Sequence, residues 1–148
     1  VSATGVFLDI GPFPAWVTEI EIPFNGISTN GTTDWGVQLV DSGGVEVTGY
    51  SGGCANTAGG QAAPTSLAQV AYTNLSSTVG TGTIRLVLAK AATNKWSINS
   101  QLVRVGASYG DFGCFTKSLS GTLTHVRLTT FNGTDTFDAG TFGGAKYR

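Results

Sequence analysis

Acyl-transfer chemistry of the serine-histidine-aspartate kind requires a histidine that takes a proton from the nucleophile. The chain has one histidine, His125, which stands between Thr124 and Val126 in a stretch of alternating polar and apolar residues. This alternation predicts a β-strand, and no G-x-S-x-G turn precedes it. The sequence therefore predicts a structural position for His125 on a sheet face and no catalytic triad.

Paired carboxylates are a second kind of chemistry that the residue types could support. Glu19 and Glu21 are two residues apart in an alternating segment, which places both side chains on one strand face, roughly 7 Å apart. Glycosidases use two carboxyl groups about 5–10 Å apart across a cleft. Nothing in the sequence marks a cleft beside these residues, so a solvated strand face is the preferred interpretation.

No metal ion and no cofactor is expected. Asp135 and Asp138 lack the spacing and the distal glutamate of a calcium loop, and turn capping is their preferred role. Cys54 and Cys114 lie in Gly-rich segments without a C-x-x-C pair or clustered histidines, which disfavours zinc. A disulfide between Cys54 and Cys114 and two separate reduced thiols are both compatible with the sequence.

Aromatic side chains offer a route to binding, because sugar rings stack on aromatic faces while their hydroxyls pair with Asp, Asn and Gln. All three tryptophans occupy alternating segments, so we expect Trp16, Trp35 and Trp96 to pack in the core. Residues in or beside two Gly-rich segments are the better candidates for a binding surface. These candidates are Tyr50, Asn56, Tyr109 and Asp111.

Length and composition limit the class of protein. The 148 residues show no break in composition, so we expect a single domain over residues 1–148, and the start at Val1 indicates a domain excised or processed from a longer protein. The net charge is −1 and no Lys/Arg cluster occurs, which argues against nucleic acid as a partner. No apolar run approaches the roughly 20 residues of a membrane-spanning helix, so we expect no membrane insertion.

The surface is expected to carry little charge. Only 11% of the residues are charged and 22 are glycine, so Ser, Thr, Asn, Gln and Gly must form most of it. Such a surface suits β-structure with many turns. It also suits a protein whose faces are covered by copies of itself, and we therefore expect a homo-oligomer.

Short alternating segments separated by Gly, Asn and Asp turns predict seven to nine β-strands. The predicted strands comprise residues 6–10, 16–24, 35–39, 45–50, 67–72, 84–89, 96–98 and 101–105, with a further strand from Phe115. Asn25-Gly26 is predicted to form a turn, and residues 51–64 and 106–113 are predicted to form long Gly-rich loops. This pattern predicts an all-β antiparallel β-sandwich, with a jelly-roll-like topology as its specific form.

The clearest local pattern lies in residues 119–141, where two apolar alternations meet at Asn132-Gly133. An Asn-Gly pair supplies the positive φ angles of a type I′ turn. The segment is therefore predicted to form a β-hairpin, with Val126 and Leu128 on its apolar face.

Four segments of the chain resemble tail-fibre and tail-spike type virion proteins of bacteriophages. Residues 119–141 are similar to a run S-L-S-G-T-L-T-x-V-R-L-T-T-x-N-G-T-D-T-F-D-A-G near the C-terminus of such proteins. Residues 14–33 are similar to their W-V-x-x-I-x-x-x-F-x-G-x-S-T-x-G-T run, and residues 41–50 and 95–98 follow in the same order. One departure is the ending at 143–148, where such proteins usually close with an apolar strand.

The resemblance implies a non-enzymatic structural or receptor-binding domain of a virion appendage: a tail fibre, a spike or a capsid decoration. It implies localisation to the virion, a homotrimer, contacts with other virion proteins and a host surface glycan as a further partner. An alternative is a carbohydrate-binding module of a secreted enzyme, which the same sandwich could serve. A polysaccharide depolymerase or esterase is a third hypothesis, for which Glu19, Glu21 and Asp111 would be the acidic residues.

Overall fold

The computed structural model describes residues 1–72 and 74–148, and in these ranges it contains thirteen β-strands, one 3-10 turn and no α-helix. The strands are β1 (Phe7–Ile10), β2 (Glu19–Thr29), β3 (Trp35–Asp41), β4 (Gly44–Val45), β5 (Ser51–Asn56), β6 (Gln61–Ala62), β7 (Ala68–Ala71), β8 (Val79–Lys90), β9 (Lys95–Val105), β10 (Gly110–Ser118), β11 (Leu123–Thr130), β12 (Phe137–Phe142) and β13 (Lys146–Tyr147). The 3-10 turn covers Ala91–Thr93 and connects β8 to β9. The predicted all-β class is confirmed.

Two antiparallel sheets form the body of the protein. The smaller sheet has the order β1-β11-β3-β4, with β7 also paired to β3. The larger sheet has the order β12-β2-β8-β9-β10-β5-β6, with β13 also paired to β2. All the ladders are antiparallel, in agreement with the predicted sandwich. The jelly-roll-like topology stays a prediction.

The core lies between the sheets, and the long strands of the larger sheet contribute to it mainly by alternation, whereas β7 of the smaller sheet is buried at all four positions. In β2, Ile20 and Ile22 are fully buried, while Glu21 between them faces outward. Trp35 of the smaller sheet packs edge-on against Phe24 and Phe137 of the larger sheet, with ring centroids 5.6 Å and 6.1 Å apart. Aromatic contacts of this geometry add to the burial of apolar area and hold the two sheets together.

The predicted hairpin of residues 119–141 is wrong. β11 pairs with β1 and β3 in the smaller sheet, whereas β12 pairs with β2 in the larger one. Gly133 has a φ of +65°, but Asn132 does not have a positive φ, so no type I′ turn forms. The Asn132 side chain instead accepts hydrogen bonds from the backbone of Thr134 and Asp135, at 3.0 Å and 2.9 Å. The segment is a connection between sheets.

The long Gly-rich loop predicted for residues 51–64 is also wrong, because it contains β5 and β6. β5 pairs with β10 along its whole length, and β10 itself begins inside the second predicted loop, at Gly110. Backbone pairing rather than side-chain propensity forms this strand. At Gly52, a Cβ atom would lie 2.0 Å from the carbonyl oxygen of Cys114, so only glycine permits the close approach.

Two predicted breaks are absent because neighbouring strands keep the chain extended. The predicted turn at Asn25-Gly26 is a bulge within β2, where the register to β8 shifts between Phe24 and Ile27 and Gly26 has a φ of +67°. β9 runs without interruption through the two segments predicted as separate strands. Long continuous strands in the larger sheet are the result.

One of the three tryptophans contradicts the predicted core. Trp35 and Trp96 are only 1% and 3% exposed, as predicted, but Trp16 is 66% exposed. The chain turns at Pro14, whose carbonyl oxygen accepts a hydrogen bond from Val17 at 3.1 Å. This turn shifts the alternation by one residue, so Val17 points inward and Trp16 points to solvent.

Candidate functional site

A groove of about 360 Å³ lies on the outer face of the larger sheet, where β2, β8 and β13 run side by side. In the strand registers, Glu21 lies opposite Arg85 of β8 and opposite Lys146 of β13. The residues that line the groove are Glu19, Glu21, Arg85, Lys146, Tyr147 and Arg148.

The local sequence explains why these side chains face outward. Ile20 and Ile22 occupy the inward positions of β2, so the alternating glutamates must lie on the opposite face. The chain end is held beside them by backbone hydrogen bonds: the Glu19 N–H donates to the Arg148 carbonyl oxygen at 2.8 Å, and the Arg148 N–H donates back to the Glu19 carbonyl oxygen at 3.0 Å. The groove is thus built on paired backbone.

The centre of the groove is a carboxylate held between two guanidinium groups. Arg85 donates through Nε to Oε1 of Glu19 at 2.8 Å, and Arg148 donates through Nε to Oε2 at 2.8 Å. The Nη2 atom of Arg85 lies 2.6 Å from Oε1, and the Nη2 atom of Arg148 lies 2.6 Å from Oε2. These guanidinium groups hold the pKa of Glu19 below its usual range. Both arginine side chains are largely exposed, at 53% and 79%, so the cluster adds little to stability.

Two exposed aromatic rings, those of Trp16 and Tyr147, contact each other near β13. Tyr147 lies opposite the buried Ile20 in the register, so its ring is on the inward face of the sheet and not on the face of the groove. The Tyr147 ring is 46% exposed and tilts by 50° against the Trp16 ring, with centroids 6.0 Å apart. On its other side Tyr147 contacts the buried Phe13 ring edge-on at 5.8 Å. The three rings therefore form a row from the core to the surface, in which Tyr147 contacts both Phe13 and Trp16.

The expectation that Glu19 and Glu21 share one strand face is confirmed by their alternation with buried isoleucines. The sequence did not reveal the groove, because its other side is contributed by Arg85 and by residues 146–148. These residues are distant along the chain, and only strand pairing brings them to β2.

Three of the four predicted contact residues meet at another end of the larger sheet. Asn56 of β5 and Asp111 of β10 are directly opposite each other in the register. Tyr109 joins them through Arg104, whose guanidinium carbon lies 5.2 Å from the Tyr109 ring centroid. Tyr50 is separate, because it precedes β5 at the opposite end of this pair of strands.

Asp111 is not a surface residue, which contradicts its predicted contact role. Its side chain is fully buried and pairs with Arg104, which donates to Oδ2 through Nη2 at 2.7 Å and through Nε at 3.0 Å. Arg104 also donates to the carbonyl oxygen of Tyr72 and to the Thr78 hydroxyl. Burial raises the pKa of Asp111, and the Arg104 charge opposes this shift. The pair ties β9 and β10 to the segment that leads into β8.

Tyr50 is likewise a core residue and not a contact residue, since it is only 2% exposed. Its hydroxyl accepts a hydrogen bond from the Leu39 N–H at 2.7 Å and donates to the Glu46 carbonyl oxygen at 3.1 Å. Burial raises the pKa of Tyr50 well above its usual value. Asn56 is half-buried and caps a turn, its Oδ1 accepting from the N–H groups of Ala58 and Gly60.

The two cysteines are free thiols, so the disulfide alternative is wrong. Cys54 lies opposite Gly113 and Cys114 opposite Gly53, which puts the two side chains on opposite faces of the sheet. Cys54 points into the core, where burial raises the pKa of its thiol to about 12. Cys114 is exposed on the outer face.

The remaining candidates for chemistry occupy structural positions. His125 is half-buried in β11, with Nδ1 3.1 Å from the Thr124 hydroxyl. Asp135 accepts hydrogen bonds from Asn132 and Thr33, which lower its pKa. Among residues 1–72 and 74–148 no group of three or more His, Cys, Asp or Glu side chains is placed to hold a metal ion. The same residues include no helix with the length and apolar character needed to cross a membrane.

Two features that the sequence interpretation missed had a signal in the sequence. Arg104 is an even number of residues after Ile98 and Leu102, which point inward from β9. If residues 95–105 form one uninterrupted strand, Arg104 must also point inward, and a buried arginine needs a carboxylate partner. Trp16 comes two residues after Pro14, and a turn there moves it out of phase with the core. The approach of residues 146–148 to β2 has no local signal.

Comparisons of the chain with protein-family models, with curated proteins and with solved structures found no match.

Proposed function

We propose that this chain is a non-enzymatic structural and receptor-binding domain of a bacteriophage virion appendage, such as a tail fibre, a spike or a capsid decoration. The observation that carries the proposal is the resemblance of four segments to phage fibre and spike proteins. In the fold these segments include β2, the β3–β4 turn, the start of β9, and β11 with β12. The resemblance therefore covers strands of both sheets and not one isolated motif.

The chemistry of the groove favours binding over hydrolysis. A glycosidase needs a protonated carboxyl group as general acid, and such groups have a raised pKa. The pKa of Glu19 is lowered, and both of its oxygens are engaged by Arg85 and Arg148. Asp111, another of the three acidic residues of the depolymerase hypothesis, is buried beside Arg104. Incubation of the protein with bacterial surface polysaccharides should release no fragments.

Self-association into a trimer is part of the proposal. The outer face of β9 and β10 carries exposed apolar side chains, with Val103 67%, Val105 65% and Phe112 49% exposed. Grouped apolar side chains on a protein surface are typical of contact sites. We call these three residues the apolar patch.

Size-exclusion chromatography with light scattering tests the oligomer. We expect a trimer, and a lysine at the centre of the patch, Val103→Lys, should shift it toward the monomer by placing a charge in the interface. Val47→Lys is a matched control, because Val47 is also exposed, at 54%, but lies outside the patch. A monomeric wild-type protein at all concentrations would contradict the trimer.

The virion assignment is tested by locating the protein. An antibody raised against the purified chain should label appendages of intact phage particles in electron micrographs. Genes for virion proteins should lie beside its gene. If the same polypeptide instead carries a hydrolase and the antibody labels secreted enzyme only, the virion assignment is wrong.

The second candidate function is a carbohydrate-binding module of a secreted enzyme. The exposed Trp16 ring beside Tyr147 is the observation that favours it, because such rings stack against sugars in either setting. The location of the protein separates the two functions, whereas sugar binding alone does not.

A further inference from the structure

We propose that the exposed rings of Trp16 and Tyr147, which contact each other beside β13, bind a neutral saccharide by stacking. We call these two rings the aromatic platform. The inference rests on the proposed function, since it names the class of host receptor that the domain would bind. The platform is separate from the groove, whose glutamates and arginines lie on the outward face of the larger sheet.

Exposure and mutual contact distinguish this pair from the other aromatic side chains. Trp16 is 66% exposed and lies in ring contact with Tyr147, with centroids 6.0 Å apart. The Phe7 ring is also exposed, but the guanidinium carbon of Arg127 lies 3.9 Å from its centroid and covers one face. Leaving an indole in water forgoes the free energy that its burial would give. The platform therefore offers the largest uncovered ring surface in the part of the chain that the structure describes.

The platform is ordered before any ligand binds. Trp16 lies in a turn that is closed by a hydrogen bond from the Val17 N–H to the Pro14 carbonyl oxygen, at 3.1 Å. Tyr147 is paired with β2 through its backbone, and its ring contacts the buried Phe13 ring edge-on at 5.8 Å. A surface that is already ordered loses little conformational entropy on binding.

The chemistry of the two rings matches that of a sugar. Each ring joins an apolar face to a polar group, because the Trp16 indole N–H donates a hydrogen bond and the Tyr147 hydroxyl both donates and accepts. A sugar likewise has apolar C–H faces and hydroxyl groups around its rim. A purely apolar partner would bury the two polar groups without hydrogen bonds, which costs free energy. A saccharide is therefore the better partner.

The charge around the platform favours a neutral sugar. Residues 10–18, which carry the first ring, contain no Lys, Arg, Asp, Glu or His. The second ring has basic neighbours in sequence, but Lys146 lies opposite the outward Glu21 in the register. Arg148 is paired with Glu19 at 2.6 Å. An acidic group on the sugar would thus gain no ion pair at the rings.

Titration with neutral oligosaccharides of glucose, galactose and mannose tests the platform, because all three sugars offer an apolar ring face. Two-dimensional ¹H–¹⁵N NMR resolves the indole N–H signals of the three tryptophans. Only the Trp16 signal should shift, since Trp35 and Trp96 are 1% and 3% exposed. Binding should stay constant as salt rises from about 0.05 M to about 0.5 M, because no ion pair forms. Oligogalacturonate, an acidic probe, should bind no more tightly than the galactose probe.

Variants assign the binding to the platform. Trp16→Ala should weaken binding of the neutral probe by about tenfold or more through the lost stacking surface. Trp16→Phe keeps a ring at this position and should recover part of the loss. Phe131→Ala is the matched control, because Phe131 is an aromatic residue that is 38% exposed and is not part of the platform. Folding of each variant is checked by its circular dichroism spectrum.

The outcomes separate this inference from the proposed function. The inference is overturned if no neutral probe binds, if Trp16→Ala binds as the wild type does, or if the oligogalacturonate binds more tightly. Loss of self-association in Trp16→Ala, measured by light scattering, also overturns it, because a second copy would then cover the rings. If the domain nevertheless labels virion appendages and adsorbs to host cells, the proposed function stands and only the receptor class is wrong.

Discussion

Two clusters of arginine and carboxylate occupy different parts of the larger sheet, and they differ in their contact with water. In the first, Arg104 and Asp111 are buried beside Tyr109, with side-chain exposures of 2% and 0%. In the second, Glu19 pairs with Arg85 and Arg148, whose side chains are 53% and 79% exposed. The same residue types stabilise the fold in the first cluster and stay in contact with water in the second. Burial, and not residue type, separates the two roles.

The largest expected effect comes from breaking the buried pair. Asp111→Ala leaves the Arg104 guanidinium buried without its carboxylate, and we expect the free energy of unfolding to fall by about 3–5 kcal/mol. Urea denaturation measures this loss of free energy. Glu21→Ala is the control, because Glu21 is exposed on the same sheet, and the urea midpoint of this variant should equal that of the wild type. A loss for Asp111→Ala no larger than that of the control would mean that the pair is not structural.

A smaller effect is expected at Asp41, a second buried carboxylate, which is 4% exposed. Burial would raise its pKa, but hydrogen bonds from the Gly43 and Gly121 N–H groups and the Ser120 hydroxyl outweigh burial and lower it. The pKa of Asp41 is lower in the folded state than in the unfolded state. The ionised carboxylate therefore stabilises the fold at pH values above the ordinary pKa of 3.8, and this stabilisation is lost as the pH falls below 3.8 toward the folded-state pKa.

Asp41→Asn removes this contribution, and we expect a loss of about 1–3 kcal/mol near pH 7. The difference between the variant and the wild type should shrink near pH 3, where the wild-type carboxyl group begins to take up its proton. Urea midpoints at the two pH values measure this. A difference that is constant with pH would show that the carboxylate charge is not what stabilises the loop.

The smallest effect on stability is expected at Trp16. Trp16→Ala should change the free energy of unfolding by no more than about 0.5 kcal/mol, since the ring is exposed. Trp96→Ala, at a tryptophan that is 3% exposed, should cost about 3–5 kcal/mol. Thermal unfolding of both variants gives the comparison. Equal losses would mean that Trp16 is packed in solution and offers no surface for a ligand.

The fold class could be predicted because period-two alternation is a local property. Strands such as β1 and β3 therefore appear where the pattern places them. The partner of each strand is a long-range property. Asn132-Gly133 marks a change of direction correctly, but the chain then crosses to the other sheet, since Phe137 of β12 completes the ring cluster around Trp35.

Two of the four binding candidates are wrong for a related reason. Glycine-rich sequence predicts a loop, which would place Tyr50 and Asp111 at the surface, but β5 and β10 are paired strands and both residues are buried. The binding roles of Asn56 and Tyr109 stay predictions. The groove was missed because Arg85 and residues 146–148 reach Glu19 only through pairing of strands that are distant in sequence. Local pattern identifies the faces of strands but not which strands share a face.

The contrast between the two clusters is a contrast in access to water. Two-dimensional ¹H–¹⁵N NMR of the arginine side chains measures this access through the exchange of their Nε–H protons with water. The Nε–H protons of the exposed Arg85 and Arg148 should exchange fast, and that of the buried Arg104 should exchange slowly. Equally fast exchange at all three arginines would contradict the burial of the Arg104–Asp111 pair.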